Sequence, residues 1–428
     1  MRILIRNGHI IDPANRVDAR ADVTIADDRI VAVGPAPPDF NADRTINADG
    51  LIVCPGLIDL YAHLREPGLE HKATIASETR AAAHGGITTL CCPPDTQPVI
   101  DTPAVASLIY DQAKAAGMAT VLPFGALTRQ LAGDQLSAMY ALKEAGCIGL
   151  SQAMQPVDNN LVLLRAMEYA ATHGMTIHLR AENAALADQG CVHNGPVGTR
   201  LGLPGIPEAA ETVAVATILA LVEETGVNVH FSLLSTARAV RMIARARYDG
   251  LPVTASVSAH HLHMTDLDVL DFDSGCHVRP PLRSQRDREG LRQGLCDGTI
   301  TAICSDHQPH EADAKLAPFS DTAVGISALE TLLPLALQAG HECGLTQSDI
   351  LACLTSGPAA VLGIDAGTLT ANSMADICIF DPEHYWVLDD TTMASRGHNT
   401  PFLNWELKGQ VRYTFHQGRC VYENPPGM

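Results

Sequence analysis

The chain has 428 residues, 46% apolar but only 4% aromatic, enough for a large domain plus a smaller one with cores of aliphatic side chains and alanine. Its 29 basic and 48 acidic residues give a net charge of −19, which argues against nucleic acid or an anionic membrane as a partner. The 12 cysteines form no Cys-x-x-Cys, and no segment reads as a leader or a bilayer span, so free thiols and a cytoplasmic location are expected.

From the N-terminus, Ile3-Leu4-Ile5, Val23-Thr24-Ile25 and Arg29 to Gly34 are short apolar runs separated by Asn7-Gly8 and Asp27-Asp28. They read as antiparallel strands. Ala375 to Phe380, Gly409 to Phe415 and Gly418 to Tyr422 have the same character near the C-terminus. Both ends are therefore expected to build one small β-sandwich domain, residues 1–52 with 366–428, around a main domain of residues 53–365.

In the main domain, helices are followed by a glycine and then by an apolar strand. Helices are predicted near Gln135 to Ala145, over Asn160 to Thr172 and over Glu208 to Glu224, stopping at Gly146, Gly174 and Gly226. This helix–glycine–strand repeat is the mark of a parallel sheet with crossover helices. Eight strands are predicted, ending near Tyr61, Pro93, Gly125, Gln152, Leu179, Leu234, Ser258 and Ser305. Eight alternating units predict an α/β fold, a (β/α)8 TIM barrel, with its site where the strands end.

The segments at those strand ends carry the chemistry. The first is Asp59-Leu60-Tyr61-Ala62-His63-Leu64-Arg65, after Cys54-Pro55-Gly56-Leu57-Ile58. Others are Gly85-Gly86-Ile87-Thr88-Thr89, Val278-Arg279-Pro280-Pro281-Leu282-Arg283, Ile303-Cys304-Ser305-Asp306-His307-Gln308-Pro309-His310 and Asn399-Thr400-Pro401-Phe402. Together they resemble the dihydroorotase branch of the cyclic amidohydrolases over nearly the whole chain. The resemblance implies a zinc that lowers the pKa of a bound water and polarises a ring amide, with a carboxylate moving the proton.

The residues that would hold the zinc depart from that pattern. The strand-one pair is Tyr61 and His63; the strand-four bridging position falls at Gln152-Ala153; the strand-five position is Arg180; the strand-six position is Leu233. Of the implied set, His63 and Asp306 remain, short of the three protein ligands that a catalytic zinc ordinarily has. A fixed charge at Arg180 about 4 Å from a divalent ion would cost roughly 8 kcal/mol at an effective dielectric near 20. Zinc is therefore expected to be absent and Asp306 vestigial, with Arg180 expected to pair instead with Asp306 and Asp95. Of the groups implied to bind substrate, Arg65 and His310 match, whereas Asp95 and Arg279 each replace an asparagine.

The pattern looks like the pseudo-dihydroorotases of bacterial pyrimidine biosynthesis. That resemblance implies no catalysis, homo-oligomerisation, and association with the catalytic chain of aspartate transcarbamoylase to support its assembly or activity. Two alternatives stand beside it: an active cyclic amidohydrolase of dihydroorotase, hydantoinase or allantoinase type with other ligands, and a small-molecule sensor in which Arg65 and Arg279 hold a carboxylate. The bland reading is preferred for the remaining histidines. His260-His261 and His307 belong to structural motifs, and His178 and His230 are expected to be satisfied core residues.

Overall fold

A computed structural model describes residues 1–424; the last four residues of the expected terminal domain lie outside the described residues. Five strands open the chain, β1 (Arg2–Asp12), β2 (Val17–Ala26), β3 (Arg29–Val33), β4 (Arg44–Asn47) and β5 (Ile52–Pro55). The barrel strands follow: β6 (Leu57–Asp59), β7 (Ile87–Cys92), β8 (Thr120–Ala126), β9 (Gly149–Ser151) and β10 (Ile177–Leu179). A small insertion, β11 (Val192–His193) and β12 (Gly205–Ile206), precedes β13 (Val229–Phe231), β14 (Val253–Ser258) and β15 (Ala302–Cys304). The terminal sheet resumes with β16 (Ile377–Val387), β17 (Glu406–His416) and β18 (Arg419–Glu423).

The two ends of the chain do build one unit. β16 pairs antiparallel with β5, and β5 pairs parallel with β1, giving a mixed sheet ordered β18-β17-β16-β5-β1-β2-β3 with β4 beside β1. Strand β1 is shared between β4 over its first half and β5 over its second. Ile3 and Ile5, two residues apart, bury completely against Val23, Ile25 and Phe415, and the register shift between Ile5 and Gly8 brings Ile10 into the same cluster. The chain passes from this sheet to the barrel through one residue, Gly56. A Cβ there would sit 2.2 Å from Thr88 Oγ1, so only glycine lets β5 run straight into β6 beneath β7.

The eight barrel strands pair in parallel in the order β6-β7-β8-β9-β10-β13-β14-β15. A parallel bridge between Ala62 and His307, with His63 N donating to His307 O at 2.8 Å, joins the last strand to the first. Strands such as β7, Ile-Thr-Thr-Leu-Cys-Cys, are buried on both faces, the condition of a parallel sheet covered by helices. The helices are α1 (Ile75–His84), α2 (Pro103–Ala116), α3 (Met139–Glu144), α4 (Asn160–Thr172), α5 (Ala184–Ala187), α6 (Pro196–Leu201), α7 (Glu208–Thr225), α8 (Ala237–Tyr248), α9 (Gln285–Cys296), α10 (Leu332–Cys343), α11 (Gln347–Ala352) and α12 (Ser356–Leu362).

Predicted α4 and α7 match closely because their ends are marked. Asn159 Oδ1 accepts from the first free amides of α4, and Gly226 takes the left-handed conformation after α7. Helix α3 begins four residues later than predicted, since Leu136 is held in a bridge to Thr128. No helix among the described residues is long and apolar enough to cross a membrane.

Candidate functional site

The altered positions converge on the C-terminal ends of the barrel strands. Tyr61 and His63 follow β6, Asp95 follows β7, Gln152 and Ala153 follow β9, Arg180 follows β10, Leu233 follows β13 and Asp306 follows β15. All but Asp95 are buried. Arg65, Ala153, Leu233 and Asp306 hold φ of 65, 50, 60 and 53°, a left-handed conformation that costs non-glycine residues free energy and clusters at functional sites. The strand ends thus keep a site-like backbone under changed side chains.

Those side chains have turned to packing and to one another. Tyr61 and Leu233, each 2% exposed, belong to a single apolar cluster with Ile58, Cys91, Phe124 and Cys304. Burial, followed by Asp95 and Asp306, raises the Tyr61 phenol well above its ordinary range, so it is neutral at pH 7. Gln152 is held at the strand end, where its Nε2 donates to Thr128 Oγ1 at 2.8 Å and to Leu131 O at 2.9 Å. His63 Nε2 meets Asp95 Oδ2 at 2.9 Å. Burial opposes ionisation of Asp95, but His63 and Arg65 outweigh it and hold its pKa below the usual range.

Arg180 departs from expectation. It pairs neither with Asp306 nor with Asp95; Nη1 donates to Glu182 Oε2 at 2.7 Å and Nη2 to Met154 O at 2.8 Å. Glu182 stands two residues further along the same strand end, so both side chains leave the backbone on one side. Arg279 adds Nε at 3.0 Å and Nη2 at 2.5 Å to the same carboxylate. Burial opposes ionisation of Glu182, yet the two guanidinium groups bring its pKa down to about 2. Glu182 was missed as a site residue; its signal was an acid at spacing two from an arginine that had replaced a ligand. Because Glu182 offsets Arg180, the repulsion expected between Arg180 and a divalent ion is reduced. What disfavours zinc here is the donor set.

Asp306, freed of Arg180, solves its burial differently. Its Oδ1 accepts from Gln308 Nε2 at 3.0 Å, Oδ2 has no partner, and His260 Nε2 lies 3.9 Å from it. Burial pushes its pKa up to about 8, so at neutral pH most of it is the uncharged acid. Of the implied ligand set only His63, tied to Asp95, and Asp306 remain. Two donors do not fit a catalytic zinc centre, which takes three protein ligands. Among the described residues no group of three or more His, Cys, Asp or Glu is arranged around a metal position.

The residues expected to touch substrate are likewise engaged. Arg279 is bound to Glu182, so it does not join Arg65 in a free two-arginine clamp. Arg65 Nε donates to Pro309 O at 3.1 Å. His310 Nδ1 lies 3.0 Å from Lys72 Nζ, and its Nε2 lies 2.9 Å from Val324 O and 3.1 Å from Arg65 Nη2. Burial, with Arg65 and Lys72 nearby, lowers the His310 pKa to about 2. Asn399, from the C-terminal motif, holds this loop: its Oδ1 accepts from His310 N, and its Nδ2 donates to Gln308 O and Gly325 O.

The other histidines divide. His307 Nε2 pairs with Glu78 at 2.8 Å, His261 contacts Ser258 and Pro281 O, and His230 contacts Thr254 and Ser256, so each is a structural residue as expected. His178 is not satisfied: neither ring nitrogen has a partner, and the ring stacks 4.2 Å from Phe124. Burial drives its pKa well below the normal value, and it persists as a neutral aromatic filler.

Comparison with known proteins fits this geometry. The chain is 48% identical to a dihydroorotase-like protein of Pseudomonas putida and 47% identical to one of Pseudomonas aeruginosa, covering 99% of this chain and at least 99% of each relative. The chain belongs to the dihydroorotase-like family. The Dihydro-orotase-like family model matches residues 50–239, which span β6 to β13 and so most of the altered strand ends. A dihydroorotase of Geobacter sp. strain M21 is 41% identical over 99% of this chain. Among solved structures, the L-hydantoinase of Arthrobacter aurescens superposes with a TM-score of 0.87 at 25% identity, over 98% of this chain and 96% of that one. The amidohydrolase-type barrel with its terminal sheet is thus the architecture of this dihydroorotase-like chain.

Proposed function

We propose that this dihydroorotase-like protein is a non-catalytic member of its family. On this reading it forms a homo-oligomer, binds the catalytic chain of aspartate transcarbamoylase, and supports that enzyme's assembly or activity in pyrimidine biosynthesis. The observation that carries the loss of catalysis is the fate of four strand ends at once. Tyr61 and Leu233 have joined an apolar cluster, Gln152 has turned to Thr128, and Arg180 is locked to Glu182. A water-activating metal needs three protein ligands and an open position, and those side chains supply none. The partner follows from resemblance to the pseudo-dihydroorotases and is supported by a fold kept whole around a site that has lost most of its donors.

Sedimentation of the purified chain with the catalytic chain of aspartate transcarbamoylase from the same bacterium tests the partner. A complex of fixed ratio, with transcarbamoylase activity higher than that of the catalytic chain alone, is the expected result. Independent sedimentation of the two at micromolar concentrations would defeat it.

A further inference from the structure

All twelve cysteines are free thiols, and Cys296 alone among them is exposed. It is the last residue of α9, and Cys343, half-buried, is the last residue of the neighbouring α10. Cys296 Sγ lies 3.8 Å from Cys343 O, which sets the two cysteines side by side at the helix ends. Beside the pair, Arg292 Nη2 of α9 donates to Glu342 Oε2 of α10 at 2.5 Å and ties the two helix ends together. Two cysteines on separate elements, adjacent in space and open to solvent at one member, are placed for a disulfide once their side chains turn toward each other.

We propose that Cys296 and Cys343 form a disulfide in the folded protein on exposure to a low-molecular-weight disulfide such as oxidised glutathione. The reaction balances in two exchanges. The exposed Cys296 thiolate attacks one sulfur of the oxidant, making a mixed disulfide and releasing one reduced thiol. The Cys343 thiolate then attacks the Cys296 sulfur, forming the protein disulfide and releasing the second thiol. The two thiol protons pass through solvent to the released thiolates, and the two electrons taken from the cysteines reduce the oxidant. Burial, with Cys296 beside it, raises the Cys343 pKa to about 11, so the second exchange accelerates as pH rises toward that value.

The bond would close a segment holding β15, the loop with Asp306 and His310, and α10. That segment forms one side of the barrel mouth, and a crosslink across its base restricts its local opening. A second thiol pair serves as an internal control. Cys54 and Cys378 stand opposite each other in the β5–β16 register, with Cys54 Sγ 3.6 Å from Cys378 O. Both are 0% exposed, so a dissolved oxidant does not reach them in the native protein.

The test is to incubate the native full-length chain with oxidised glutathione at mildly alkaline pH, alkylate the remaining thiols, and map peptides without reduction. A peptide joining Cys296 to Cys343 is expected, with Cys54 and Cys378 unlinked. Cys343→Ser should stop at glutathione on Cys296, and Cys296→Ser should leave Cys343 free. Wild-type protein that accumulates glutathione on Cys296 with Cys343 free, or that dimerises through Cys296, would overturn the proposal. Hydrogen exchange provides the second readout: oxidation should slow amides within residues 297–342 in the wild type and leave Cys296→Ser unchanged. Equal exchange before and after crosslinking would overturn the claim that the bond restrains the barrel mouth.

Discussion

Replacing Glu182 by glutamine should expose how the barrel mouth now holds its charge. In the native protein one carboxylate, 5% exposed, receives both Arg180, 3% exposed, and Arg279. Its pKa falls from 4.5 to about 2, a shift of about 2.5 units, or ~3 kcal/mol at about 1.4 kcal/mol per unit. Loss of one member of a buried pair ordinarily costs 3–5 kcal/mol because a charge is stranded, which agrees. The sign follows from a depressed carboxyl pKa: this stabilisation is fully present above about pH 4.5 and disappears as pH falls toward 2. Urea unfolding of Glu182→Gln at pH 7 should therefore show a loss of ~3 kcal/mol, and a pH series should show that the wild type loses this advantage over the variant on acidification through that window. Adding Arg180→Met to Glu182→Gln should recover part of the loss, since a stranded cation is removed. A cost for Glu182→Gln below ~1 kcal/mol, or additivity of the two changes, would refute the ion-pair account.

Arg180→Ala should also destabilise, because it leaves Met154 O without its donor and Glu182 with one cation in place of two; equal urea midpoints for variant and wild type would contradict this. Asp306→Asn should act in the opposite direction at alkaline pH. A carboxyl raised to about 8 contributes stability that is complete below the unfolded value near 4 and is lost as pH rises through 8, so melting temperatures across pH 5 to 9 should decline less steeply in the variant; parallel curves would refute the assignment. Leu233→Ala should cost about 2–4 kcal/mol through the cavity it leaves in the apolar cluster, read by urea denaturation, and a neutral result would mean that Leu233 is not part of the packing.

The barrel was legible because its signals are local and repeated: glycine after α3, α4 and α7, an apolar run after each of those glycines, and eight apolar strand runs in all. The return of the C-terminal strands to the first sheet was legible because both ends share the same short alternating pattern. Contacts between strand ends were not, because they depend on side-chain direction. Arg180 could be placed at a ligand position from sequence, but its choice of Glu182 over Asp306 depends on spacing two along one strand end and on Arg279 arriving from another loop. That His178 is unpartnered was not legible, because period and burial do not reveal whether the neighbouring strand offers a hydroxyl. His230, one strand over, has Thr254 and Ser256; His178 has Phe124.

The central claim is that the strand ends no longer supply a zinc site. It is tested most directly by measuring metal in the purified chain by mass spectrometry, alongside hydrolysis of dihydroorotate, hydantoin and allantoin. The account predicts zinc far below one equivalent and no ring opening. Near-stoichiometric zinc, together with hydrolysis abolished by His63→Ala, would contradict it.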